Sequence, residues 1–89
     1  MMKRTPPFEK EFEHVKARAR ERYGLVIDRS HYDKMANHIR MGWFDVIEEE
    51  QGQTILRVRV GKGEVAAVWD TTYGCVTTLL PRTVLEGKR

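Results

Sequence analysis

The spacing of apolar residues changes once along this chain, and the change divides it in two. Between residues 8 and 23 the apolar stripe is Phe8, Phe12, Val15, Ala19 and Tyr23. Steps of four, three, four and four place these side chains on one face of a helix. Pro7 suits the first turn, and Glu9, Glu11 and Glu13 complement the positive end of the helix dipole. Arg18, Arg20 and Arg22 suit the other end, and Gly24 is a natural stop. Leu25-Val26-Ile27 reads as a brief strand or a buried connector. A second stripe, Tyr32, Met35, Ala36 and Ile39, predicts another helix ended by Gly42. Ser30 is its expected N-cap, with Asp33 in the capping-box position three residues on.

From Trp43 the period becomes two. Trp43 to Glu50 reads as a strand with an acidic end, and Gln51-Gly52-Gln53 as a turn. Thr54 to Val60 alternates, with Leu56, Val58 and Val60 on one face and Ile55, Arg57 and Arg59 on the other. Gly61-Lys62-Gly63 predicts a tight hairpin. Glu64 to Trp69 and Cys75 to Leu80 are the third and fourth strands, joined by a polar turn over Asp70 to Gly74 and closed by Pro81. Short links force neighbouring strands to run antiparallel. The expected fold is α+β: two N-terminal helices packed on one face of a three- to four-stranded antiparallel meander, with the other face open. Residues 1–7 are expected to be a disordered lead-in and 8–81 a single domain. Residues 82–89 should form a polar tail from which Val84 and Leu85 could dock.

With 89 residues there is room for one modest core and none for a large cofactor-binding domain. No cofactor is expected. No stretch approaches the ~20 apolar residues of a membrane span. No apolar run follows Lys3 and Arg4 as a signal peptide would require. Cys75 is the single cysteine, so no internal disulfide or cysteine-based zinc cluster can form, and the cytoplasm is the expected location. The net charge of +3 is unevenly placed. Residues 1–23 carry seven basic and four acidic side chains, and the remainder carries nine of each. A nucleic-acid partner is permitted by this balance but not demanded. Lys16, Arg18, Arg20 and Arg22 spread over more than half the helix circumference, which argues against one flat phosphate-binding face.

Three groups of residues could carry chemistry. Arg57 and Arg59 share one strand face about 6.6 Å apart, a spacing that suits successive phosphate oxygens. His31 and His38 lie near one flank of the second helix. Seven residues is about 10.5 Å of helix, too far for one zinc ion, so no metal site is expected, but either imidazole suits general acid–base work. In the last hairpin, Tyr73 could donate a proton or stack on a base, and Thr77 and Thr78 point to opposite faces, one of them towards the open side.

Two N-terminal helices, a twisted antiparallel sheet with arginines on a central strand, and Val68-Trp69-Asp70 followed by Val76-Thr77-Thr78-Leu79-Leu80-Pro81 resemble the RelE-like and barnase-like small ribonuclease fold over roughly residues 30–81. The resemblance implies RNA cleavage without a metal, in a toxin-like or mobile-element protein. Arg57 and Arg59 would then bind the scissile phosphate, and His31 or His38 would act as acid or base. Tyr73, Thr77 or Thr78 would contact RNA, with Arg18 and Arg22 as further substrate-binding residues. The competing expectation is a non-enzymatic module, such as a phage or accessory inhibitor, that binds a protein partner through the open sheet face around Ile55, Tyr73 and Trp43. An exposed edge strand in so small a sheet would also allow a homodimer.

Overall fold

The computed structural model describes residues 8–87. Their order is α1 (Glu9–Tyr23), α2 (Arg29–Arg40), β1 (Asp45–Glu50), β2 (Gln53–Val60), β3 (Gly63–Asp70), β4 (Cys75–Leu80) and α3 (Thr83–Gly87). The four strands form one antiparallel meander in the order β1-β2-β3-β4. The expected lead-in, with Pro7, lies outside the described residues. Within the segment expected as a polar tail, Thr83–Gly87 forms a short helix, and Leu85 packs against the core.

Both helices bury the stripes their spacing predicts. Phe12, Val15, Ala19 and Tyr23 of α1 meet Tyr32, Met35 and Ile39 of α2 in one apolar cluster. The sheet's contribution is Leu56, Val58 and Val60 from β2, Val65 and Ala67 from β3, and Val76 and Leu79 from β4. The β2–β3 register sets Leu56 against Ala67 and Val58 against Val65, so these side chains share one face, and both helices cover it. The connector Leu25–Ile27 is not a strand: Leu25 and Ile27 pack inward while Val26 stays 76% exposed.

The opposite face is not wholly open. Ile55, Ala66 and Val68 are buried on it, with Ile55 and Val68 as direct cross-strand partners. Apolar residues on both sides of β2 and β3 accord with their central position in the sheet. The expected protein-contact surface around Ile55 is therefore closed at its centre.

Polar side chains on α1 and α2 fasten both helices to β4. The Tyr32 hydroxyl donates to the Val76 carbonyl at 2.8 Å, and the Arg22 guanidinium to the Leu79 carbonyl at 2.8 Å. The Tyr23 hydroxyl donates to the Leu80 carbonyl at 2.5 Å and accepts from the Ala66 amide at 3.0 Å. At the other side of the sheet β1 is the exposed edge, carrying Asp45, Glu48, Glu49 and Glu50 and a register shift between Val46 and Glu48. Like charges and an irregular register both discourage a second chain from pairing there.

The second helix starts two residues earlier than the capping pattern predicts. Its N-cap is Asp28, not Ser30. The Asp28 carboxylate accepts from the His31 amide at 3.0 Å, and the Asp28 amide donates back to His31 Nδ1 at 3.2 Å. This is a reciprocal capping box in which imidazole replaces the usual Glu or Gln. The hydrogen bond from the His31 amide is the main cause holding the Asp28 carboxyl below its ordinary pKa. A depressed carboxyl stabilises the fold above its unfolded value, and that contribution is lost as pH falls through the folded one. Asp28→Ala should therefore lower the melting temperature at neutral pH and lose that effect in strong acid. Ser30→Ala should leave the temperature unchanged in thermal scans at both pH values.

Candidate functional site

The C-terminal end of α2 is closed by two backbone hydrogen bonds. The Gly42 amide donates to the Ile39 carbonyl at 3.1 Å and the Trp43 amide to the His38 carbonyl at 2.8 Å. Together they make a Schellman motif, which requires a left-handed residue where Gly42 has φ +83°. In such motifs the residue after the glycine commonly packs on the one five positions before it. Here that contact is between the Trp43 and His38 rings, whose centroids lie 5.4 Å apart at a tilt of 45°. Trp43 is 62% exposed. Its backbone is thus fixed to a helix end while much of its indole meets solvent.

Two clefts meet at this pair. The larger, about 500 Å³, is lined by His31, Lys34, His38, Trp43 and Arg59, among others. Its size falls within the ~300–1,000 Å³ usual for small-ligand sites. The smaller, about 280 Å³, is lined by His38, Trp43, Phe44, Asp45, Arg57, Arg59 and Glu64. His38, Trp43 and Arg59 belong to both.

The structure divides the expected site residues. His31, His38 and Arg59 line the larger cleft, and Arg57 lines the smaller. The two arginines differ in commitment. Arg57 is 3.4 Å from the Glu64 carboxylate and donates to the Leu85 carbonyl at 3.1 Å, so it ties β2 to β3 and α3. The Arg59 side chain has no hydrogen bond or ion pair among the described residues. The histidines differ likewise. His31 Nδ1 belongs to the capping box and also lies 3.0 Å from Asp28 Oδ1, leaving Nε2 as the nitrogen that can serve the cleft. The ring nitrogens of His38 make no hydrogen bond among the described residues. Lys34, one helical turn before His38, lines the same cleft.

The other expected residues lie elsewhere. Thr78 Oγ1 is 2.9 Å from His14 Nε2, and Thr77 Oγ1 donates to the Val68 carbonyl at 3.4 Å. Neither threonine lines either cleft. Tyr73 sits in the β3–β4 turn, where its amide donates to Asp70 Oδ1 at 3.0 Å. Arg18 pairs with Glu21 at 2.6 Å, and Arg22 holds the Leu79 carbonyl. The acidic run Glu48–Glu50 is also outside the clefts, whereas Asp45 and Glu64 border the smaller one.

Lys34 is the residue that reasoning from spacing missed, and Trp43 was expected only in a protein-contact surface on the open sheet face. Lys34 was visible only as a residue between two histidines. The signal for Trp43 was Gly42, since a glycine that closes a helix also fixes the backbone of its successor. Among the described residues, no helix is long and apolar enough to cross a membrane. No protein-family model, curated protein or solved structure matches this chain.

Proposed function

We propose that this domain is a small ribonuclease that cleaves RNA by attack of the ribose 2′-hydroxyl, working in the cleft between α2 and the end of β2. What supports this reading is one juxtaposition: His38, Arg59 and Lys34 line a single cleft, and none of the three is hydrogen-bonded or ion-paired to another described side chain. The reaction needs a base, an acid and a cation. His38 takes the proton from the 2′-hydroxyl, whose oxygen attacks the phosphorus. The 5′-oxygen leaves as that P–O bond breaks and takes a proton from the Nε2 of a protonated His31, whose Nδ1 then donates to the Asp28 carboxylate 3.0 Å away instead of accepting from the Asp28 amide. The products are a 2′,3′-cyclic phosphate and a 5′-hydroxyl. Arg59 and Lys34 neutralise the phosphate, with the fork of Arg59 suited to two of its oxygens. Threonines 77 and 78 have no part in this scheme.

The test is incubation of the purified protein with an unstructured RNA oligonucleotide in excess chelator. A cyclic-phosphate product is expected. His38→Ala should slow its formation by about a hundredfold, the lower range for losing a general acid–base group. Arg59→Ala should weaken substrate binding and make it less sensitive to salt. RNA left intact by the folded wild-type protein would overturn the reading.

A second reading, a protein-binding module, draws on the exposed apolar side chains Met41, Trp43 and Val46, which are 62%, 62% and 50% exposed. The two readings separate at His38→Ala, which should slow cleavage about a hundredfold under the first and leave partner capture intact under the second.

A further inference from the structure

We infer that Trp43 is a stacking platform for an unpaired nucleobase, so that the cleft selects single-stranded over duplex RNA; this rests on the reading of the cleft as an RNA site. Three observations support it. The indole is 62% exposed although a tryptophan gains more by burial than almost any other side chain. Its backbone is pinned by the Trp43–His38 hydrogen bond at 2.8 Å and the left-handed Gly42, so stacking on it orders no loop. Its neighbours across the cleft, Arg59 and Lys34, are the cations a sugar–phosphate backbone requires.

The geometry is specific about the form of the RNA. Away from its ends a duplex covers both faces of each base, so an indole finds no free π-surface along it. In a single strand one base can lie on Trp43 while its phosphate meets Arg59. The contact between the Trp43 and His38 rings then places the stacked nucleotide beside the imidazole. Stacking tolerates any base, so the preference concerns strandedness and not sequence. Trp69 does not play this part. It is half-buried, packs on the core and has the Arg40 guanidinium 6.0 Å from its ring.

The experiment uses the full chain and a single-stranded oligoribonucleotide methylated on every 2′-oxygen, which removes the nucleophile and leaves binding alone to be read. A blunt duplex of the same sequence is the comparison. In a Trp69→Phe background the remaining fluorescence reports Trp43. The single strand should quench it and bind at least about tenfold more tightly than the duplex. Trp43→Ala should lose about tenfold or more in affinity for the single strand while leaving duplex binding unchanged, and Trp43→Phe should recover part of the loss. Equal affinity for the two forms, no binding of either, or a Trp43→Ala protein that binds the single strand like the parent would overturn the inference. Its failure is separable from failure of the cleavage reading. Tight single-strand binding through Trp43 with natural RNA left intact removes only catalysis. Cleavage that proceeds unchanged in Trp43→Ala removes only the platform.

Discussion

Leu79→Ala should lower the stability of the fold by about 3–4 kcal/mol, the middle of the range for truncating a buried leucine. Leu79 has no exposed surface and stands opposite Ala67 in the β3–β4 register, with both helices closing over that row. An alanine facing an alanine leaves a void that neither strand can fill, because the backbone pairing holds them apart. A domain of this size has a total stability of roughly 5–10 kcal/mol, so the variant should sit near the edge of folding. Thermal denaturation followed by circular dichroism should show a fall on the order of 15–25 °C. Leu80→Ala is the control. Its side chain is half-exposed, and the midpoint should move by only a few degrees. Equal effects at the two positions would show that the core is not where the register places it.

Tyr23→Phe should cost about 2–3 kcal/mol although it removes one oxygen and no apolar surface. That oxygen bridges the last residue pair between β3 and β4, donating to the Leu80 carbonyl and accepting from the Ala66 amide. Ala66 is fully buried, so without the phenol its amide is left in an apolar site, a loss of about 1–3 kcal/mol by itself. Urea denaturation should show a lower midpoint with an unchanged slope. The same residue predicts behaviour in alkali. Burial raises the Tyr23 phenol above its ordinary pKa, and burial also raises Tyr32. A raised phenol stabilises the fold fully below the unfolded value of about 10. That stability is lost as pH climbs through the folded value, because the unfolded chain ionises first. Wild-type stability should therefore fall from about pH 10 upward, and Tyr23→Phe should flatten the fall without abolishing it, since Tyr32 remains. A loss beginning near neutral pH would point to another group.

The elements were legible because their periods are long and clean. Five apolar residues at steps of three and four leave no alternative to a helix over Phe8–Tyr23, and all but Phe8 are buried as that stripe requires. Cys75–Leu80 emerged with its bounds as expected, since Gly74 and Pro81 punctuate both ends. The capping of α2 was not legible. Ser30 with Asp33 is the commoner signature, and nothing along the chain says that a histidine side chain will return the hydrogen bond to Asp28. The short helix at Thr83–Gly87 was hidden for a similar reason: a single turn has too few positions to show a period.

Of the candidate site, residue types were readable and groupings were not. Arg57 and Arg59 are equivalent on a strand, two positions apart on one face. Only the packing of Glu64 and the Leu85 carbonyl against Arg57 makes it structural and leaves Arg59 for the cleft. Of Thr77 and Thr78 one was expected on the open side, yet Thr78 meets His14, 64 positions away on α1, and Thr77 donates to the Val68 carbonyl.

The sequence by itself therefore determined the kind and order of the main elements and the antiparallel meander, because periodicity and short links are local properties of a chain. Which polar groups are used up and which are left to act was decided only by tertiary structure. Hydrogen bonds and ion pairs between residues far apart in sequence depend on how helices and sheet dock, and docking is chosen by the whole buried surface at once. The cleft around His38, Trp43 and Arg59 is a product of that choice: one helix end, one glycine in a left-handed turn, and one strand end brought together by a core to which none of the three side chains belongs.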